Sequence, residues 1–222
     1  MEYVQITGIN DPLFLKMHKL MQDVFPAEEV LEYSLWEGPL QDPTIRMFVA
    51  VEDGEVVGAT EYRFYPDRKL SMTDFTLIGK EGLGVGPFLA KKRHEDLMHL
   101  SFEHGIELIG VFAEIYDPYR AERHDFGGLQ AMNPFVRREV LAHLGFKKLD
   151  FTYVHPSWTN EGDAVTELDF CFLPFADLES VPGAEIADFL KMYYAILSEK
   201  PQAWQDMITH LEAAGEVKLL AL

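Results

Sequence analysis

The sequence predicts an α/β fold: a mixed central sheet with helices on both faces, followed by a C-terminal helical extension. Three observations lead there. Strand-like apolar runs precede a strand, glycine loop, helix, strand unit between Leu70 and Ile115, which is the pattern of a crossover connection. Ile106 to Ile115 is almost continuously apolar, as a strand covered on both faces must be. Beyond about Pro174 the chain turns to helical spacing.

Each element has its own local reason. Tyr3 to Ile6 alternates like a short first strand. Asp11 as N-cap and Pro12 at the first helical position open a helix that carries Leu13, Met17, Leu20 and Met21 on one side. A second helical segment is expected from about Ala27 to Trp36. Met47 to Val51 and Val56 to Phe64 flank Asp53-Gly54, a preferred tight-turn pair, and so read as a hairpin. Leu70 to Ile78 is the next strand, and Pro87 is expected to begin the helix that Gly105 ends. Asn133-Pro134 and Leu144-Gly145-Phe146 bound a later helix, after which Phe151 to Val154 and Glu167 to Leu173 read as strands. Ala184 to Leu197 and Trp204 to Ala214 are helical patterns separated by Lys200-Pro201, with Gly215 after the second. The expected division is a core domain over 1–175 and a helical extension over 176–222 packed on it. The row Phe189, Tyr193, Tyr194 and Leu197 reads as packing, since aromatic rows at helical spacing face a core.

The stretch richest in chemistry is Thr73 to Arg93, where a strand meets Glu81-Gly82-Leu83-Gly84-Val85-Gly86-Pro87 and then a helix. Glycines let a loop backbone approach a ligand, and the first N–H groups of the following helix can hold phosphate oxygens. A dinucleotide fingerprint would need a third glycine at Pro87, and a P-loop would need Gly-Lys-Ser/Thr, so neither fits. A plain structural turn is the alternative.

Residues 74 to 93 resemble the acyl-CoA pyrophosphate loop of the GNAT superfamily of N-acetyltransferases. The usual pattern is Arg or Gln, two residues, Gly, one residue, then Gly or Ala; here Glu81 stands where a cationic or amide side chain is usual. Asn133-Pro134 through Leu144-Gly145-Phe146 is similar to the family segment before its sixth strand. Leu149 to Pro156 is similar to a bacterial branch with Tyr-Val-Gln-Pro at that place. The resemblance covers about residues 45 to 173. It implies acetyl-CoA as co-substrate, held around Leu77, Ile78, Glu81, Gly82, Leu83, Gly84, Val85 and Gly86. The pantetheine arm would lie in a gap between Leu70–Ile78 and Ile106–Ile115. It further implies direct acetyl transfer to a primary amine. Leu141 departs from the family, which often places a tyrosine there as general acid. With Glu81, this keeps open a catalytically silent acyl-CoA-binding or sensor module.

Direct transfer requires a neutral amine, donors for the developing oxyanion and a route for the proton. Glu114 is the first candidate base, because a carboxylate on a strand face shared with Leu108 and Phe112 is partly desolvated and accepts a proton more readily. The alternative is an ion pair with Arg120 or Arg123. His124, in the polar loop after that strand, is the second candidate base, and Tyr116, or Tyr119, could protonate the departing thiolate. Asp74 and Asp125 are the candidates for holding a cationic amine, with Asp74 alternatively a structural carboxylate. No metal is expected, since His94 and His99 are five residues apart on a helix and do not share a face. The absence of Gly-x-Ser-x-Gly removes the common hydrolase elbow.

A 222-residue chain that is 48% apolar can bury a sizeable core, and a net charge of −18 argues against nucleic acid and for a cationic small-molecule acceptor. Lys80 and Lys91-Lys92-Arg93 are the nearest source of positive potential for CoA. No membrane partner is expected, because neither a leader pattern nor a spanning apolar run is present. The lone Cys171 reads as a buried apolar residue in a reducing cytoplasm; homodimerisation stays open.

Overall fold

The computed structural model describes residues 1–25, 30–120, 134–156 and 164–222. These residues form an α/β fold with a mixed sheet, the class that the strand and helix order predicts. The chain divides into two compact units, Met1–Phe112 and the described residues from Ala113 onward.

The first unit contains β1 (Glu2–Ile6), α1 (Pro12–Val24), α2 (Glu37–Gln41), β2 (Ile45–Glu52), β3 (Glu55–Tyr65), β4 (Leu70–Ile78) and α3 (Val85–Glu103). Asp11 caps α1 by accepting from the Leu13 N–H at 2.8 Å, a contact that contributes about 1 kcal/mol. β1 to β4 pair in sequence order and antiparallel. The β2–β3 turn uses Asp53 at φ +51° and Gly54 at φ +78°, the left-handed pair that a twisted hairpin needs. One core forms where Phe14, Met17, Leu20 and Met21 of α1 meet Met47, Val49, Ala59 and Leu77 of the strands. A second, smaller one gathers Val85 and Leu89 of α3 with Ala50 and Val57.

A bulge interrupts β4. Glu61 lies opposite Phe75 but Tyr62 lies opposite Thr73, so Asp74 is the extra residue. The inserted residue shifts the side-chain alternation, which lets Thr73 and Thr76, three apart, turn to the same side. Arg93 of α3, 6% exposed, donates from one guanidinium nitrogen to Thr60 at 3.3 Å, Thr73 at 2.9 Å and Thr76 at 3.1 Å. Burial pulls that guanidinium below its ordinary pKa.

β5 (Gly110–Tyr116) starts in the first unit and carries the chain into the second. The second unit adds α4 (Pro134–His143), β6 (Lys147–Leu149), β7 (Leu168–Pro174), β8 (Ser180–Pro182), α5 (Gly183–Tyr193), α6 (Gln202–Ala213) and β9 (Glu216–Ala221). Its strand order is β5-β7-β6-β9-β8. Ala113 and Ile115 pack with Phe146, Cys171 and Leu141 on one side of the strands. α5 and α6 bury Ile186, Phe189, Leu190, Trp204 and Leu211. Asp169, 2% exposed, accepts a hydrogen bond from Arg120 at 2.5 Å and is ion-paired with Arg138 at 2.8 Å and Lys148 at 2.7 Å, which supplies the cations a buried carboxylate requires.

Several local expectations need correction. Pro87 is the third residue of α3, because Gly84 in the left-handed region already caps the helix; the missing proline N–H still falls in the first turn, where no intrahelical partner exists. The segment expected to be helical to Trp36 is a 3-10 turn over Tyr33–Trp36 followed by α2, and residues 26–29 lie outside the described ones. Phe151 to Val154 is not a ladder strand. Tyr153 and Val154 are buried, yet the paired strand is Lys147–Leu149, so apolar content there reports burial and not pairing. The C-terminal segment supplies β8 and β9 as well as two helices. Buried Val217 and half-buried Leu219, two apart beyond Gly215, are the strand signal that a helical reading passes over.

Candidate active site

Among the described residues two groups are candidates for the chemistry, one in each unit, and each is built by its own local structure. In the first unit β4 ends at Ile78 and the loop turns through Gly82 at φ +78° and Gly84 at φ +69° before α3 begins. An added Cβ at either glycine would meet no heavy atom within 4 Å, so both are required for backbone conformation, with open space beside them. Gly86 differs. A Cβ there would come within 3.1 Å of Ile78, so it serves the packing of α3 against β4.

The start of α3 has no side-chain cap, leaving its first N–H groups turned outward at the positive end of the helix. These features fit an anionic group such as a pyrophosphate. Glu81, Gly82, Leu83 and Gly84 are exposed, while the Leu77 side chain belongs to the α1 core and Ile78 packs beside Val85 and Leu89. The expected positive cluster is dispersed: Lys91 and Lys92 lie 3.8 and 2.8 Å from Glu95, Arg93 is buried among threonines, and Lys80 is exposed beside the loop.

In the second unit Glu114 occupies the side of β5 opposite Ala113 and Ile115. Its Oε1 accepts hydrogen bonds from the hydroxyls of both Tyr153 and Tyr194, which are themselves 2.6 Å apart. Its Oε2 faces His155 Nε2 at 3.7 Å. The Glu114 side chain is 19% exposed, whereas Tyr153 and Tyr194 are 1% and 0% exposed. Burial, reinforced by the Glu114 charge, pushes both phenols well above their ordinary pKa. They are therefore permanent hydrogen-bond donors across the neutral range. Of the two alternative ion-pair partners for Glu114, Arg120 is engaged by Asp117 at 2.8 Å and by Asp169, and Arg123 lies outside the described residues.

The other candidates fall as follows. Asp74, at the bulge, pairs with Arg63 Nε at 2.8 Å and accepts from Glu61. Glu61 is 4% exposed, and burial, then the neighbouring Asp74 charge, raise its carboxyl well above the usual range. Tyr116 ends β5, half-buried within electrostatic reach of Arg137. Tyr119 is 81% exposed and packs edge-on against Phe135. His124 and Asp125 lie outside the described residues. Leu141 packs with Phe146 and Cys171, so no hydroxyl arises from that position. Among the described residues no group of three or more His, Cys, Asp or Glu is placed to hold a metal ion.

Sequence reasoning passed over Tyr153, Tyr194 and His155 as working groups. Tyr153 and Tyr194 lie 39 and 80 residues from Glu114, so no spacing rule links them. The one available signal was the polar tip of each tyrosine within an apolar pattern, since a buried phenol needs a partner.

No family model matches the chain, and no curated protein sequence matches it. Solved structures do. A Bacteroides thetaiotaomicron protein assigned to the GNAT family of acetyltransferases superposes with a TM-score of 0.61 at 14% identity, over 90% of this chain and 100% of its own. The ribosomal-protein-S18-alanine N-acetyltransferase of Escherichia coli gives 0.52 at 10% identity, over 80% of this chain and 96% of its own. An aminoglycoside 6'-acetyltransferase of type Ii gives 0.52 at 15% identity, over 78% and 95%. Identities this low establish architecture and leave substrates open, while the coverage shows that the shared architecture spans most of the chain. The protein has the fold of the GNAT N-acetyltransferases.

Proposed function

We propose that this protein is an N-acetyltransferase that moves an acetyl group from acetyl-CoA directly to the primary amine of a small cationic molecule. The observation that carries the reading is the β4–α3 loop, with two left-handed glycines, open space beside them and a helix start that has no side-chain cap. Gly82, Leu83, Gly84, Val85 and Gly86 would hold the pyrophosphate through backbone N–H groups. When bound, acetyl-CoA supplies an acyl group already activated as a thioester.

The remaining work falls to side chains. An amine arrives largely as ammonium and must lose a proton before its lone pair can form the C–N bond while the C–S bond breaks. Glu114 is the proposed acceptor of that proton, with His124 the alternative. Tyr116 is the proposed donor to the leaving thiolate, because Leu141 cannot be. Two of the structural neighbours are named for amine acceptors, an aminoglycoside and an alanine, which supports an amine here. Asp74 and Asp125 are the proposed holders of the acceptor's charge, although Asp74 must then share its carboxylate with Arg63. No helix among the described residues is long and apolar enough to cross a membrane, and the proposed location is the cytoplasm.

A second reading, an acyl-CoA-binding module without turnover, is favoured by Glu81 at the loop and by Leu141. Calorimetric titration with CoA, followed by thiol release across a panel of amines, separates the two. CoA binding with turnover is expected, and Glu114→Gln is expected to lower kcat by about 100-fold at unchanged CoA affinity. Binding without turnover on any amine would leave the module reading. No CoA binding at all would overturn both.

A further inference from the structure

We infer that Tyr153 and Tyr194 are the positioning residues of Glu114, so that the segment ending α5 is part of the catalytic apparatus and not only a packing element. The inference rests on the proposed role of Glu114 as base. Both phenols donate to the same oxygen, Oε1. Among the described residues that leaves Oε2, on the side of His155, as the oxygen able to take a proton, and 3.7 Å is too long for a hydrogen bond with the imidazole. Two donors converging on Oε1 also prevent the carboxylate from turning, so the basic lone pairs of Oε2 keep a fixed direction.

The phenols are themselves immobilised. Tyr153 stacks on Phe170 with ring centroids 5.0 Å apart, and Tyr194, the residue directly after α5, is enclosed edge-on by Tyr193 at 4.9 Å and His155 at 5.6 Å. Neither hydroxyl can exchange its carboxylate for water, because neither ring is exposed. A generic buried carboxylate would be satisfied by any donors. Among the described residues this one has both donors on one oxygen while the side chain keeps partial access to solvent, an asymmetry suited to accepting a proton at the other oxygen. The titratable groups that face Glu114 among the described residues are Tyr153 and His155, from the segment after β6, and Tyr194. Since the phenols stay protonated, a change in the acidic limb of the rate profile reports on Glu114 or His155.

The test uses Tyr153→Phe and Tyr194→Phe, which keep ring and packing and remove one donor each, read singly so that a variant that misfolds leaves the other. Rate against pH at saturating acetyl-CoA is measured in the wild-type and Glu114→Gln backgrounds, together with the carboxyl ¹³C titration of Glu114, which separates it from His155. Each phenylalanine is expected to destabilise the carboxylate, moving both the acidic limb and the ¹³C midpoint to higher pH. It should lower kcat about tenfold with KM for acetyl-CoA unchanged, and change kcat less than about twofold when Glu114 is already Gln. Wild-type limb and midpoint in both variants, or an equal loss of kcat in the Glu114→Gln background, would overturn the positioning role. If Glu114→Gln itself retains full turnover, the base reading fails instead, and the ¹³C midpoint still decides whether the phenols control the carboxylate.

Discussion

Glu61 shows how a single residue's surroundings set its protonation and, through it, the stability of the first unit. Buried on β3 beside Asp74, it keeps its proton well above the carboxylate range, whereas in the unfolded chain it ionises near 4.5. A raised folded value means that its contribution to stability is complete below about 4.5 and is lost as pH rises through the folded value. Glu61→Gln mimics the neutral acid and removes that dependence. The melting temperature should therefore rise at pH 8 by a few degrees and change little at pH 4, as thermal unfolding at the two values would show. An equal change at both would mean that Glu61 is ionised in the folded protein. The same buried pair explains why Asp74 was hard to read: its sequence neighbours do not reveal Glu61 and Arg63 from the adjacent strand, and the bulge alters which way it points.

The glycine loop makes its demands on the element it begins. Gly84→Val places a β-branched residue at φ +69°, which costs on the order of 1–2 kcal/mol or forces the loop to another path. Because an added Cβ at Gly84 meets no atom, the cost falls on the loop and on the N–H directions at the start of α3. CoA affinity should fall at least about tenfold while the melting temperature drops only slightly. Gly86→Val should behave differently. Its Cβ presses on Ile78, so binding and stability should fall together. Calorimetry and thermal melts on the two variants would test the contrast, and unchanged CoA affinity for Gly84→Val would remove the loop from the binding site. Here the strand, glycine and helix pattern was legible, since turn chemistry and helix capping act over a few residues; the start of α3, two residues earlier than Pro87 suggests, was set by the conformation of Gly84.

At the scale of the molecule, a net charge of −18 sets a long-range field that favours cations and opposes anions. Polyamines and aminoglycoside-like amines should be acetylated faster than glutamate-like acceptors at low ionic strength, and the preference should shrink as the Debye length falls to about 8 Å at physiological salt. Steady-state rates on matched cationic and anionic amines at two salt concentrations would check this. Faster turnover of the acidic acceptors at low salt would reduce the surface charge to a matter of solubility.

The sequence by itself determined the α/β class, the Asp53-Gly54 hairpin, the extent of β4, the glycine loop and the burial of Cys171, because periodicity, turn residues and caps are local. It also pointed to Glu114 as the exceptional carboxylate of an apolar strand. Tertiary structure alone decided that Tyr153 and Tyr194 converge on that carboxylate, that Glu61 shares a buried environment with Asp74, and that β9 pairs with β6 and β8. Those arrangements join residues tens of positions apart, and the hydrogen-bonding partner of a buried polar atom is set by which elements pack together, not by the spacing of the residue types along the chain.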